Sequence, residues 1–337
     1  MPTLELLGLA PERDGNLGPV YTSRNAACSN RAAAQESPGR ENYQRCTKPQ
    51  TDLMPAQTFN TFWYGGNLSA LEWACFQSFI EHGHRLRVFC FDPIDVPAGT
   101  VVENAATFAR KSEVFLFEKS PSAFSNLFRY RVVHNLGEFW VDSDVYCLNS
   151  DIPDCDYAWA NEDNIRINGA IFKFPANDLT LSEIICDADE IQKKLRAWGQ
   201  LGPRLLTKHL LGRTFSHHFG ERKSFYPLHW LEAFLFWLPG GSEIVRAKLD
   251  EAVFIHFWTG MFTRCFDIDY RSWPPDGSFL EYIYLKHGLR EKLVPASRSI
   301  DETFESIGRY LRQDWVPEFS LKELGYDLSS FSLAEHR

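Results

Sequence analysis

Asp142 and Asp144 stand one residue apart at the end of an apolar and aromatic run in the stretch "FWVDSDVYCL", residues 139–148. Carboxylate oxygens are hard ligands suited to Mg²⁺ or Mn²⁺, ions that keep open positions for phosphate oxygens. In an extended segment two residues so spaced point the same way, roughly 6 to 7 Å apart along the chain, so the pair can grip one cation. Asp-x-Asp also occurs in exposed turns, yet "GEFWV" directly before it reads as a buried strand.

The flanking elements explain how such a pair would be positioned. An aromatic strand pattern over 59–66 runs into Gly65-Gly66, and Leu68, Leu71, Cys75, Phe76, Phe79 and Ile80 then recur at helical spacing with Gly83 as the cap. Residues 86–92 read as a second strand. Strand, helix and strand within about 35 residues make a βαβ unit, which predicts parallel strands in an open α/β sheet. A second helix is predicted with Ser122 as N-cap, Phe124, Leu127, Phe128 and Val132 on one face, and Gly137 at its end. It leads into a strand over 138–141, so the aspartates fall just beyond a strand's carboxyl end, where α/β sheets bind ligands. Further on, "YAWAN", "GAIFKF" and residues 252–258 read as strands. Residues 179–198 read as a helix, and Ile300, Phe304, Ile307 and Leu311 as an amphipathic one.

Composition excludes other classes. The chain has 337 residues, 44% hydrophobic and 15% aromatic, enough for a large core. A formal charge of −9 without a dense Lys/Arg run argues against a nucleic-acid partner or a polybasic membrane patch. The eight cysteines show no C-x-x-C spacing and read as small core residues in a reducing compartment. The first residues carry no signal-peptide pattern and no window reaches transmembrane length, so a soluble, cytoplasmic protein is expected. Residues 1–56 contain no Phe or Trp and are expected to form a flexible leader, with the folded domain over 57–337.

The run "SNLFRYRVVHNLGEFWVDSDVYCL", residues 125–148, resembles the signature of glycosyltransferases with a DXD-containing sugar-binding region. That group includes mannosyltransferases, α-1,4-galactosyltransferases and capsular-polysaccharide sugar transferases, with the large clostridial glucosylating toxins as distant relatives. The resemblance extends through residues 62–92, "INGAIFK" at 167–173, "WGQLGPRLLT" at 198–207 and "FIHFW" at 254–258. It implies a GT-A fold: a Rossmann-like α/β sheet that binds a nucleotide-sugar and Mn²⁺ or Mg²⁺ at its carboxyl edge.

By the same resemblance, Asp144 would ligate the metal, Asp142 would contact ribose and metal, and His256 would complete the coordination. Arg129 would reach the donor, Trp63 would lie near the base, and Asn168 would line the sugar pocket. The implied reaction transfers a sugar, with retention, from a UDP-sugar or GDP-mannose to a glycan, lipid-linked or protein acceptor. Two positions depart from the pattern: Asn126 replaces an aspartate expected to meet a sugar hydroxyl, and Gly137-Glu138 replaces Gly-Gly.

Each residue also has a plainer reading. His256 can be a core histidine, Arg129 a salt-bridging helix residue, Trp63 a core aromatic and Asn168 a strand start, while Glu162 and Asp163 either touch the acceptor or form a solvated loop, the loop being the expectation. Two other functions compete. "FWVDSDV" locally fits the nucleophile motif of a haloacid-dehalogenase-type phosphatase, although that motif normally opens its fold. A non-catalytic sugar-binding protein on a degenerate transferase fold is the other.

Overall fold

A computed structural model describes residues 56–312. The expected leader therefore lies outside the described residues as far as position 55, and so do Cys28 and Cys46. The first strand, β1 (Thr58–Trp63), has a fully buried centre, because a central parallel strand is covered on both faces. Ser69 then caps helix α1 (Ala70–Glu81) in a reciprocal box with Glu72, and Gly83, at φ 77°, turns the chain into β2 (Arg85–Cys90). After β3 (Val101–Asn104), helix α2 (Ser122–Leu136) carries the chain back. Its N-cap is Pro121, one residue before the expected Ser122, and Ser120 Oγ accepts from the Ser122 amide at 3.2 Å.

Gly137 ends α2 at φ 68°, where a Cβ would come within 2.9 Å of the Ala176 nitrogen. The next strands are β4 (Phe139–Val141), β5 (Val145–Cys147), β6 (Tyr157–Asn161) and β7 (Ile167–Lys173). Helix α3 (Leu179–Gln192) stops short of the expected 198, and α4 (Pro203–Leu210) follows. A two-residue β8 (His218–Phe219), β9 (Phe254–His256), α5 (Phe279–Lys286) and α6 (Ile300–Leu311) complete the main elements, β9 being shorter than the expected 252–258.

Seven strands form one sheet in the order β3-β2-β1-β4-β7-β6-β8. Strands β3, β2, β1 and β4 run parallel, whereas β7 is antiparallel to both β4 and β6. The parallel α/β sheet expected from the βαβ unit is thus present on one side, with a mixed half beyond β4. Strands β5 and β9 pair separately as an antiparallel ribbon, Val145 opposite His256.

Successive residues of β4 serve opposite faces, as a pleated strand requires. Phe139 and Val141 join α1 and the later helices in one apolar cluster, while Trp140 joins α2, α3 and α4 in the other. Glu138, the residue that breaks the Gly-Gly pattern, accepts from Asn60 Nδ2 at 3.0 Å and Arg87 Nη1 at 2.7 Å, tying β1 and β2 to the start of β4. The six described cysteines are free thiols, four of them buried. No helix among the described residues is long and apolar enough to cross a membrane.

Candidate active site

Asp142 and Asp144 do not lie in an extended segment. The Val145 amide donates to the Asp142 carbonyl at 3.1 Å, so residues 142–145 turn, and β4 gives way to β5. The turn, together with β9 pairing on β5, gathers Asp142, Asp144 and His256 so that one ligand atom from each lies within 4.8 Å of the others. Two carboxylates and an imidazole at that spacing suit a hard or borderline divalent cation.

Each donor is held by its own partners. Asp142 accepts through a single oxygen, Oδ1, from Arg129 Nη2 at 2.6 Å and Trp140 Nε1 at 2.9 Å. Among the described residues no hydrogen bond reaches its Oδ2. Asp144 is buried; its Oδ2 accepts from the Thr259 amide at 2.9 Å and the Thr259 hydroxyl at 2.8 Å, and its Oδ1 lies 3.3 Å from His256 Nε2. Burial alone would raise the Asp144 pKa, but His256 and the two Thr259 hydrogen bonds outweigh it and bring the carboxyl down to about 2. It therefore stays ionised, as a metal ligand would have to be. His256 Nδ1 is buried and makes no hydrogen bond among the described residues, and the ring packs on Trp258 at 4.0 Å between centroids.

Arg129 is buried on α2, with its guanidinium 5.7 Å from the Trp140 ring centre. Its guanidinium lies against Gly169: a Cβ there would meet Arg129 Nη1 at 2.5 Å and Leu206 Cδ1 at 2.8 Å, so those side-chain ends would have to shift. Asn126, three residues earlier on the same helix, faces Gly202 at the start of α4, whose Cβ would lie 3.3 Å from its amide atoms. Trp63 ends β1 at the carboxyl edge, its indole donating to the Gly66 carbonyl at 2.8 Å. Asn168 is buried and engaged: Nδ2 donates to Glu162 Oε2 at 2.6 Å, and Oδ1 accepts from the Ala170 amide at 2.7 Å and from the Tyr226 hydroxyl at 3.4 Å.

Thr259, Tyr226 and Trp258 escaped the sequence reading, and Glu162 was placed differently by it. Glu162 lies in the β6–β7 loop, as expected, but it is buried rather than solvated, and burial raises its pKa despite the Asn168 bond and the nearby Arg166. Thr259 holds Asp144, and Tyr226 packs 5.9 Å from His256 between ring centres. Trp258 sits at φ 57°, a left-handed conformation unusual for a bulky residue, and its indole donates to the Leu228 carbonyl at 3.1 Å. Thr259 and Trp258 stand within three residues of His256, whereas Tyr226 carries no signal in the sequence.

No protein-family model and no curated protein matches the chain. Among solved structures it is similar to the PaToxG glycosyltransferase, at 10% identity over 76% of this chain and 85% of that one, with a TM-score of 0.37. That likeness is too distant to assign a function.

Proposed function

We propose that the protein is a divalent-metal-dependent glycosyltransferase that takes a hexose from a nucleotide-diphosphate sugar, a UDP-sugar or GDP-mannose, and passes it with retention to an acceptor hydroxyl. The observation that carries this reading is the convergence of Asp142, Asp144 and His256, with Arg129 bonded to Asp142, beside the carboxyl ends of β1 and β4. Asp142 Oδ2, an ionised Asp144 and the His256 imidazole offer a donor set that fits Mn²⁺ or Mg²⁺. When bound there, such an ion would neutralise charge on a departing diphosphate.

The protein's own groups supply the rest. Arg129 and Trp140 fix the Asp142 carboxylate through one oxygen and leave the other for a ligand. Arg129 also brings a buried positive charge to a site where negative charge must develop. Thr259 holds Asp144 in place before any ligand arrives, which lowers the cost of ordering it at the moment of binding. In this reading Trp63 meets the base, Asn126 a sugar hydroxyl, and Asn168 with Glu162 walls the sugar pocket. The acceptor is a glycan, a lipid-linked sugar or a protein side chain, and the free buried thiols fit a cytoplasmic setting.

The test is a donor panel of UDP-glucose, UDP-galactose, UDP-N-acetylglucosamine and GDP-mannose scored for nucleotide release with Mn²⁺ or with EDTA. Release from at least one donor, abolished by EDTA and by Asp144→Ala in a protein that still folds, is the expected result. Release that persists in EDTA would refute the metal role, and hydrolysis of phosphate monoesters instead of sugar donors would favour phosphatase chemistry.

A further inference from the structure

A cavity of about 380 Å³ opens between the segment after the 230–236 helical turn, the 269–276 loop and the start of α6. It shares no residue with the metal-binding group. Trp237 and Trp273 supply its aromatic wall, Pro239, Pro274 and Pro275 stiffen it, and Asp269, Asp276 and Arg298 bring charge to its rim. Bridging between Ser272 and Val294, with the Trp273 amide donating to the Val294 carbonyl at 3.3 Å, holds the loop in shape. A wall with fixed backbone angles loses little entropy when a ligand arrives.

The lining argues for one ligand chemistry. Two aspartates against one arginine, itself 3.4 Å from Asp267, repel an anion. A cation is disfavoured because Arg290 already lies over the Trp273 ring, 5.0 Å from its centre, and Arg298 stands at the rim. A purely apolar ligand would strip water from the aspartates without return. A neutral molecule with an apolar face and a fringe of hydroxyls meets every condition: it stacks on an indole and hydrogen-bonds with carboxylate and guanidinium. Spare capacity is present, since among the described residues neither the Asp276 carboxylate nor the two indole N–H groups makes a hydrogen bond, and Arg298 has donors left beyond its ion pair with Asp267.

We propose that this cavity binds a carbohydrate chain, one ring lying against Trp273 with its hydroxyls on Asp269, Asp276 and Arg298. That the chain is the acceptor rests on the glycosyl-transfer reading; that the cavity binds carbohydrate does not.

The test is isothermal titration of the full-length protein with cello-, malto-, manno- and chito-hexaose, and with choline chloride as the cationic probe. At least one hexasaccharide is expected to bind. Trp273→Ala and the exposed Asp276→Ala should each weaken it by about tenfold, the loss of one ring face or of one carboxylate. Asp144→Ala should leave hexasaccharide binding unchanged while removing Mn²⁺ binding, which separates this proposal from the metal chemistry. Failure of all four sugars to bind, binding of choline in their place, or sugar affinity unaltered in both cavity variants would overturn it.

Discussion

Gly169 is the smallest residue at the candidate active site and one of its tightest constraints, because its missing side chain is the space in which the Arg129 guanidinium lies. Gly169→Ala should displace Arg129, release Asp142 and weaken Mn²⁺ binding by about 10–100-fold, as loss of a residue that orients a metal ligand commonly does. Isothermal titration with MnCl₂ checks this, and unaltered affinity in a folded variant would show that Arg129 does not set Asp142. Glu162 carries a pH prediction. Its folded pKa is raised above the ordinary value of 4.5, so the folded state holds its proton to higher pH than the unfolded chain does. The wild type therefore loses stability from this group as pH rises from about 4.5 through the raised folded value. Glu162→Gln, which can still accept from Asn168, should melt no lower than wild type at neutral pH, and any advantage should shrink in acid. A variant that melts well below wild type at neutral pH would show that the charged form is needed.

At the scale of elements, Glu138 replaces a glycine expected by resemblance and turns that departure into a clamp on Arg87 and Asn60. Glu138→Ala leaves buried donors with fewer partners and should cost about 1–3 kcal/mol in urea unfolding, with Mn²⁺ affinity kept because the clamp precedes β4 while the candidate metal-binding group follows it. The helices were readable where hydrophobic spacing and end signals agreed: α1 carries both its apolar stripe and Gly83, and α2 runs to Gly137 as expected. What the sequence hid was the change of direction after Val141. The strand ends at Val141 as expected, but the spacing of Asp142 and Asp144 reads as that of an extended segment, whereas the bond from the Val145 amide to the Asp142 carbonyl makes a turn. The depth of Glu162 was hidden for a related reason. Loop composition reports local polarity, while burial depends on what distant segments pack over it. The resemblance supplied His256, which periodicity alone would have left as one more core residue.

For the whole molecule, the three residues of the candidate metal-binding group and the partners described for them all lie within residues 56–312. Removing residues 1–55 should therefore leave Mn²⁺ binding unaltered. Saturation at a hundred times Kd should still stabilise the shortened chain by about 2.7 kcal/mol; a lost thermal shift would place residues 1–55 in the site. The hydrogen bond from Thr259 to Asp144 spans 115 residues of sequence, and it has a consequence for the order of assembly. A chain growing from its amino end presents both aspartates long before β9 exists to pair with β5 and bring His256 and Thr259 into place. Contacts so distant along the chain form late in folding. An unfinished chain would thus hold two carboxylates without their imidazole partner, and high-affinity metal capture would mark the completed molecule rather than any of its precursors.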